Sequence, residues 1–380
     1  ARKYAVSYEM KKVSTPAEEA LRLLPEGSVP WFSAVALLSL AGAYTGNLAS
    51  LLMALEAFQG YQGPIPASGP AGIAGHVLCG GLVHGGQREA ADQLLERMEA
   101  AERDAERMDP VFSGYLCLMR TFCSLMELSD LGEALPNAER ALHLFAEARD
   151  ELAQSLAYYL KGWAQIAVGD FENGEQTCQH GLQHSRRLGF GWAEGTTTVF
   201  LGLAQIMRGQ ERTGIETLKP LLANADTLNG FLAQVFIALA LFRTGCVSEA
   251  CRGAALAVER SASFPTAQTM ALTVLGRIEL DQERFEEAVA HARRAASTGE
   301  SGCIDCLIDP MLRLTLAEAL RGLGKSEEAE EILQQAHHRL LQQSRSLGDP
   351  ALRELYLRNT LDAERTLQLA QNSEGGRSRS

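Results

Sequence analysis

Aromatic residues make up only 6% of this chain of 380 residues, and runs of β-branched residues are scarce. Sheet-forming sequence is therefore thin, while Ala, Leu, Glu, Gln and Arg recur throughout, so the composition predicts an all-α protein. Positive charge is also in short supply, with 35 Lys and Arg against 47 Asp and Glu and a net charge of -12. No basic stripe is present, which excludes a nucleic-acid backbone as the main partner, because phosphate binding needs clustered Lys and Arg. The eight cysteines lack a disulfide-framework pattern. They fall mostly where a helix places small core residues, which suits a reducing cytosol and a cytoplasmic location.

From Gly27 to Gln87 the one formally charged residue is Glu56. The apolar run Trp31–Leu55 within it is broken at its centre by GAYTGN, Gly42 to Asn47, which argues against a membrane span. The expectation is instead that residues 27–87 dock on another domain or on a second protomer, since a solvated helical surface rarely goes so long without charge. The chain opens at Ala1 without Met, so a piece of a longer polypeptide with upstream domains is expected.

A repeat of small residues is present. Gly162, Gly169, Gly174, Cys178 and Gly181 have offsets of 7, 5, 4 and 3, and the same offsets relate Gly202, Gly209, Gly214, Leu218 and Leu221. Six more copies keep the phase, their first positions at Ser39, Cys79, Phe122, Ala238, Gly276 and Ala317. Small residues late in one helix and early in the next let two backbones approach, and the glycine between them supplies a left-handed turn. Each such hairpin has an apolar face that only stacking can bury, which predicts a right-handed α-solenoid of about eight to nine helical hairpins. The expected organisation is a solenoid over 1–371, with a partial repeat at 1–25, repeats over 28–346 and one capping helix over 349–371. A disordered tail, 372–380, follows.

The segments VGDFENG (Val168 to Gly174), DQERFEEAVAHARRA (Asp281 to Ala295) and GKSEEAEEILQQA (Gly324 to Ala336) resemble the turn and second helix of tetratricopeptide repeats. The stretches AEEALRLLPEGSVPWFSAV (Ala17 to Val35) and LGDPALRELYLRNTLDAERTLQLA (Leu347 to Ala370) are similar to the start and finish of the C-terminal helical array in large bacterial signalling proteins. Those proteins carry a Ser/Thr kinase or a STAND-type ATPase ahead of the array. The resemblance implies a non-catalytic sensor or scaffold whose enzymatic parts lie upstream. The sequence itself has no HRD loop, no DFG and no glycine-rich loop after a strand.

Each motif with chemical potential has a structural reading beside it. Gly324-Lys325-Ser326 ends like a phosphate-binding loop, but the first position of that motif is Ala319, inside a helix, so a hairpin turn is expected. Cys303 and Cys306 form a lone CxxC without the second ligand pair a structural zinc needs. His180 and His184, four apart near Cys178, give two ligands without a third. The acidic run Glu327, Glu328, Glu330 and Glu331 reads as a solvated helix face. No catalytic, cofactor or metal residues are therefore assigned.

The candidate binding surface is the inner face of the solenoid, lined by Met119, Met126, Tyr159, Trp163, Ile166, Leu203, Met207, Leu239 and Phe242. This face suits a protein or peptide partner, or a small effector, if it is open. If the superhelix winds tightly, the same residues form core, as apolar stripes at helical spacing usually do.

Overall fold

The computed structural model describes residues 12–45, 47–126, 131–225, 227–300 and 306–377. These residues are 83% helical, with 19 helices and no strand among them. A short helix α1 (Ser14–Leu23) precedes inner helix α2 (Val29–Thr45) and outer helix α3 (Leu48–Gly60). Hairpins follow as α4 (Gly69–His84) with α5 (Arg88–Arg103), α6 (Pro110–Met126) with α7 (Leu131–Glu147), and α8 (Glu151–Ala167) with α9 (Phe171–Leu188). The next inner helix, α10 (Gly191–Met207), pairs with α11 (Glu211–Leu218), which passes at Pro220 into a 3-10 turn, Lys219–Asn224. The array continues with α12 (Leu228–Arg243) and α13 (Val247–Arg260), α14 (Pro265–Asp281) and α15 (Phe285–Glu300), and α16 (Asp309–Gly322) and α17 (Ser326–Ser346). The C-terminal cap, expected as one helix, is two: α18 (Pro350–Asn359) and α19 (Ala363–Arg377), separated by a left-handed Asp362 with φ 59°. The last residues, 378–380, lie outside the described residues, as does the turn at Gly46.

The turn phase read from the sequence is a repeated Schellman cap. Gly86, Gly169, Gly209, Gly245 and Gly324 all have φ between 74° and 80°, and Glu283 occupies the same phase at 56°. In each, the amide of the left-handed residue and the one after it donate back to the last turn of the inner helix, as Gly169 N–H does to Ile166 and Asp170 N–H to Gln165, at 3.0 and 2.8 Å. The cap satisfies carbonyls that the helix end would otherwise leave unpaired. The hairpin is then closed by the small residues. A Cβ on Gly162 would lie 2.4 Å from the Cys178 sulfur, and one on Gly202 would lie 2.4 Å from Leu218. Neither helix pair could cross so closely with a larger residue there.

The array closes on itself. One apolar cluster of buried residues runs from Val13 to Ala363, with Cys306, Leu307, Ile308, Met311, Leu347 and Tyr356 joined to the central repeats. The Cys306 N–H donates to the Leu125 carbonyl at 3.2 Å, at the end of α6. Gly132 N–H, in α7, donates to Ser346 Oγ at 3.3 Å, and Asn359 Nδ2 donates to the Gly169 carbonyl at 2.9 Å. Helix α14 also touches α4, and α17 touches α7. The cap is tied to the last repeats by ion pairs: Arg277 to Glu318 at 3.0 Å and to Asp362 at 3.6 Å, and Arg365 Nε to Glu318 at 2.8 Å.

Candidate functional site

The residues expected on the inner face lie on α6, α8, α10 and α12, four successive inner helices. Met119, Met126, Tyr159, Trp163, Ile166, Leu203 and Leu239 are all buried, none more than 5% exposed. Met207 and Phe242, near the C-terminal ends of α10 and α12, are half-buried. The buried ones are packed side chains, held between neighbouring inner helices.

Trp163 is the centre of an aromatic ladder. Its ring stacks on Phe200 at 4.7 Å and meets Phe122 edge-on at 5.7 Å, while Tyr159 stacks on Phe200 at 6.3 Å. Trp192 and His84 extend the ladder at its two ends, against Tyr159 and Phe122. Such offset and edge-on pairs add to the apolar area they bury. Burial alone pushes the Tyr159 phenol above its usual range. The Trp163 indole N–H and the Gln165 and Thr197 side-chain oxygens are buried with no hydrogen-bond partner. Phe122 and Phe200 were not in the sequence-derived set. Phe122 stands in a phase otherwise held by small residues, and Phe200 is three residues before Leu203 on the same helix face, which is the signal that could have found it.

His76, on α4, has its ring 6.1 Å from Tyr115 and its Nδ1 buried without a partner. Desolvation lowers it to about 4, so the ring is neutral in the fold. An unfolded chain takes up a proton at His76 near pH 6.5, so the stability tied to the neutral ring is complete above that pH and is lost as the pH falls toward 4. The loss is at most ~3 kcal/mol for this one group. Thermal melts between pH 7 and 4.5 are expected to show a smaller drop for His76→Leu than for the unaltered chain; equal drops would remove His76 from the account.

The remaining motifs are occupied by structural contacts. Gly324 N–H and Lys325 N–H donate to Arg321 and Leu320, both at 3.0 Å, so the amides that a phosphate-binding loop would turn toward a ligand are used by the cap. Of the CxxC pair, Cys303 lies outside the described residues, and Cys306 is buried. His184 has one ring nitrogen 2.9 Å from the Glu151 carbonyl and the other 3.4 Å from Arg187. Cys178 is buried beneath Gly162, and His180 is exposed. Among the described residues no three His, Cys, Asp or Glu side chains gather to hold a metal ion. In the acidic run, Glu328 pairs with Arg293 of the preceding repeat and Glu330 with Arg321 at 3.9 Å. Among the described residues no helix is long and apolar enough to cross a membrane. An open groove of about 580 Å³ is lined by Arg313, Gln334, Gln335, His338, Arg339 and Gln342, none of them among the nine expected residues.

No protein-family model matches the chain, and no curated protein matches it in sequence. Solved structures match in fold. A Rap protein complexed with competence and sporulation factor aligns over 97% of this chain and 99% of its own, at 11% identity and a TM-score of 0.60. The apo form of the quorum sensor NprR from B. thuringiensis aligns over 89% of this chain and 97% of its own, at 10% identity and a TM-score of 0.51. The STAND protein PH0952 from Pyrococcus horikoshii, with a tetratricopeptide repeat sensor, aligns over 92% of this chain and 54% of its own, at 16% identity and a TM-score of 0.44. Together with the recurrent caps and small-residue crossings, the likenesses to the Rap and NprR structures make the chain a tetratricopeptide-like all-α solenoid.

Proposed function

We propose that this chain is a non-catalytic regulatory array that binds a protein or peptide partner. The observation that carries the reading is the contact of residues 306–359 with the ends of the third and fourth hairpins at Leu125, Gly132 and Gly169, a closure that a partner could favour or oppose. In the closed arrangement the face around Tyr159 and Trp163 is filled by the chain itself. A partner with apolar side chains binds the opened arrangement and shifts the population toward it, by as much as its affinities for the two differ. The Rap structure, complexed with competence and sporulation factor, supports this use of the fold. On this reading the array works in the cytoplasm of a bacterium, downstream of a kinase or STAND-type ATPase in the same polypeptide, and reports its state to those modules. The charge-poor stretch 27–87 serves as the face toward such a module or a second protomer, since Leu52 and Val29 remain exposed there.

A second reading, a small-effector sensor, is favoured by the unpartnered Trp163 N–H within the buried ladder, which a ligand oxygen would satisfy. Asn359→Ala separates binding to the closed array from binding to the open one. Losing the Asn359 to Gly169 hydrogen bond costs the closed array ~1 kcal/mol, so a peptide that needs opening binds about five-fold more tightly. The probe is a set of synthetic apolar peptides, read by amide exchange in α8 and α10. Unchanged affinity, with protection confined to outer helices, would remove the inner face as the site.

A further inference from the structure

Cys79 on α4 and Cys123 on α6 belong to neighbouring repeats, 44 residues apart in sequence, and their sulfurs lie 3.6 Å apart. Both side chains are buried. A disulfide needs about 2.0 Å between sulfurs, so the two reach bonding distance by a small rotation and a shift of helices already in contact. We propose that Cys79 and Cys123 are an oxidisable thiol pair, a hydroperoxide-sensitive modification site that cross-links the second hairpin to the third.

The surroundings give the two sulfurs different parts. The hydrogen bond between the two thiols holds the Cys123 thiol below its ordinary range, against a desolvation that acts the other way. Cys123 keeps 6% of its surface accessible, whereas Cys79 has none. By contrast, burial raises the thiols of Cys117 and Cys178 and makes them poor nucleophiles. The Cys123 thiolate attacks hydrogen peroxide, forming an S–O bond as the O–O bond breaks, and the departing hydroxide takes the thiol proton as water. The Cys79 sulfur then attacks the Cys123 sulfenic acid. An S–S bond forms, the S–O bond breaks, and the second oxygen leaves as water with the Cys79 proton. Two thiols are oxidised to one disulfide and one peroxide is reduced to two waters.

The cross-link falls beside the closure, because Leu125, two residues past Cys123, accepts from Cys306 N–H. Oxidation therefore fixes two neighbouring inner helices to each other, one of which ends at this closing contact.

The test treats the folded full chain with excess hydrogen peroxide, quenches with an alkylating agent under denaturing conditions, and maps peptides without reduction. The expected product is a linked peptide pair containing Cys79 and Cys123, lighter by two hydrogens and released by dithiothreitol, with a melting temperature several degrees above that of the reduced chain. In Cys79→Ser the linked pair is absent and Cys123 is carried on to the sulfinic acid. Recovery of both cysteines as alkylated thiols while the exposed Cys246 is oxidised would overturn the proposal, as would a disulfide joining either cysteine to a different partner. The wild-type map decides the matter by itself should the variant fail to fold.

Discussion

Gly169→Ala is expected to destabilise the protein by ~1–3 kcal/mol more than the same change at Gly209 or Gly245, since it adds an overpacking cost to a shared backbone cost. All three glycines hold the same left-handed turn, with φ of 80°, 78° and 79°. A Cβ in that region costs ~1–2 kcal/mol at any of them. What differs is the neighbourhood. Around Gly209 and Gly245 an added Cβ meets nothing within 4 Å, while at Gly169 it would lie 2.6 Å from the Leu355 carbonyl and 2.9 Å from Asn359. The excess at Gly169 is therefore the strain imposed on the contact between the fourth hairpin and α18, or the loss of that contact if the closure gives way. Chemical denaturation of the three variants measures it, and equal losses would mean that α18 does not rest on this turn in solution.

Trp163→Ala carries the second large effect. The ring is 3% exposed and held between Phe200 and Phe122. Truncating a buried aromatic of this size costs ~3–5 kcal/mol through lost burial and the cavity left behind. Met207→Ala, at a half-buried position on α10, is expected to cost less than half as much. An exposed lining residue would behave otherwise, losing under ~1 kcal/mol of stability while binding fell. The pair of denaturation curves thus distinguishes a filled interior from a permanently open groove.

The hairpins were legible in the sequence because local rules dictate them. The left-handed turn requires glycine or a tolerant residue at one phase, and close helix crossing requires small residues at two others, so the offsets at Gly162 and Gly202 are a direct imprint of geometry. The nine inner-face residues were also legible as an apolar stripe, but their exposure was not. Whether Tyr159 and Trp163 line a groove or a core depends on the superhelical turn, which accumulates from small rotations at every hairpin interface and brings Asn359 to Gly169 across 190 residues. No short motif encodes that sum. Gly132 shows the difficulty: a Cβ there would lie 2.1 Å from the Ser346 carbonyl, a reason for glycine that no local spacing reveals. The split of the cap, where Thr360 turns extended and Asp362 turns left-handed beside Arg277, is likewise marked by no glycine or proline in the sequence.

The closure itself is tested most directly by a distance. Spin labels attached through non-cysteine chemistry at the exposed positions Glu172 and Arg358 flank the Gly169 to Asn359 contact. If the array closes as described, pulsed electron spin resonance gives one short distance, under half the open-array value. An array that stays open would place five inner-helix spacings between the labels, roughly 50 Å at ~10 Å each, and a distance centred there in the unliganded chain would contradict the account.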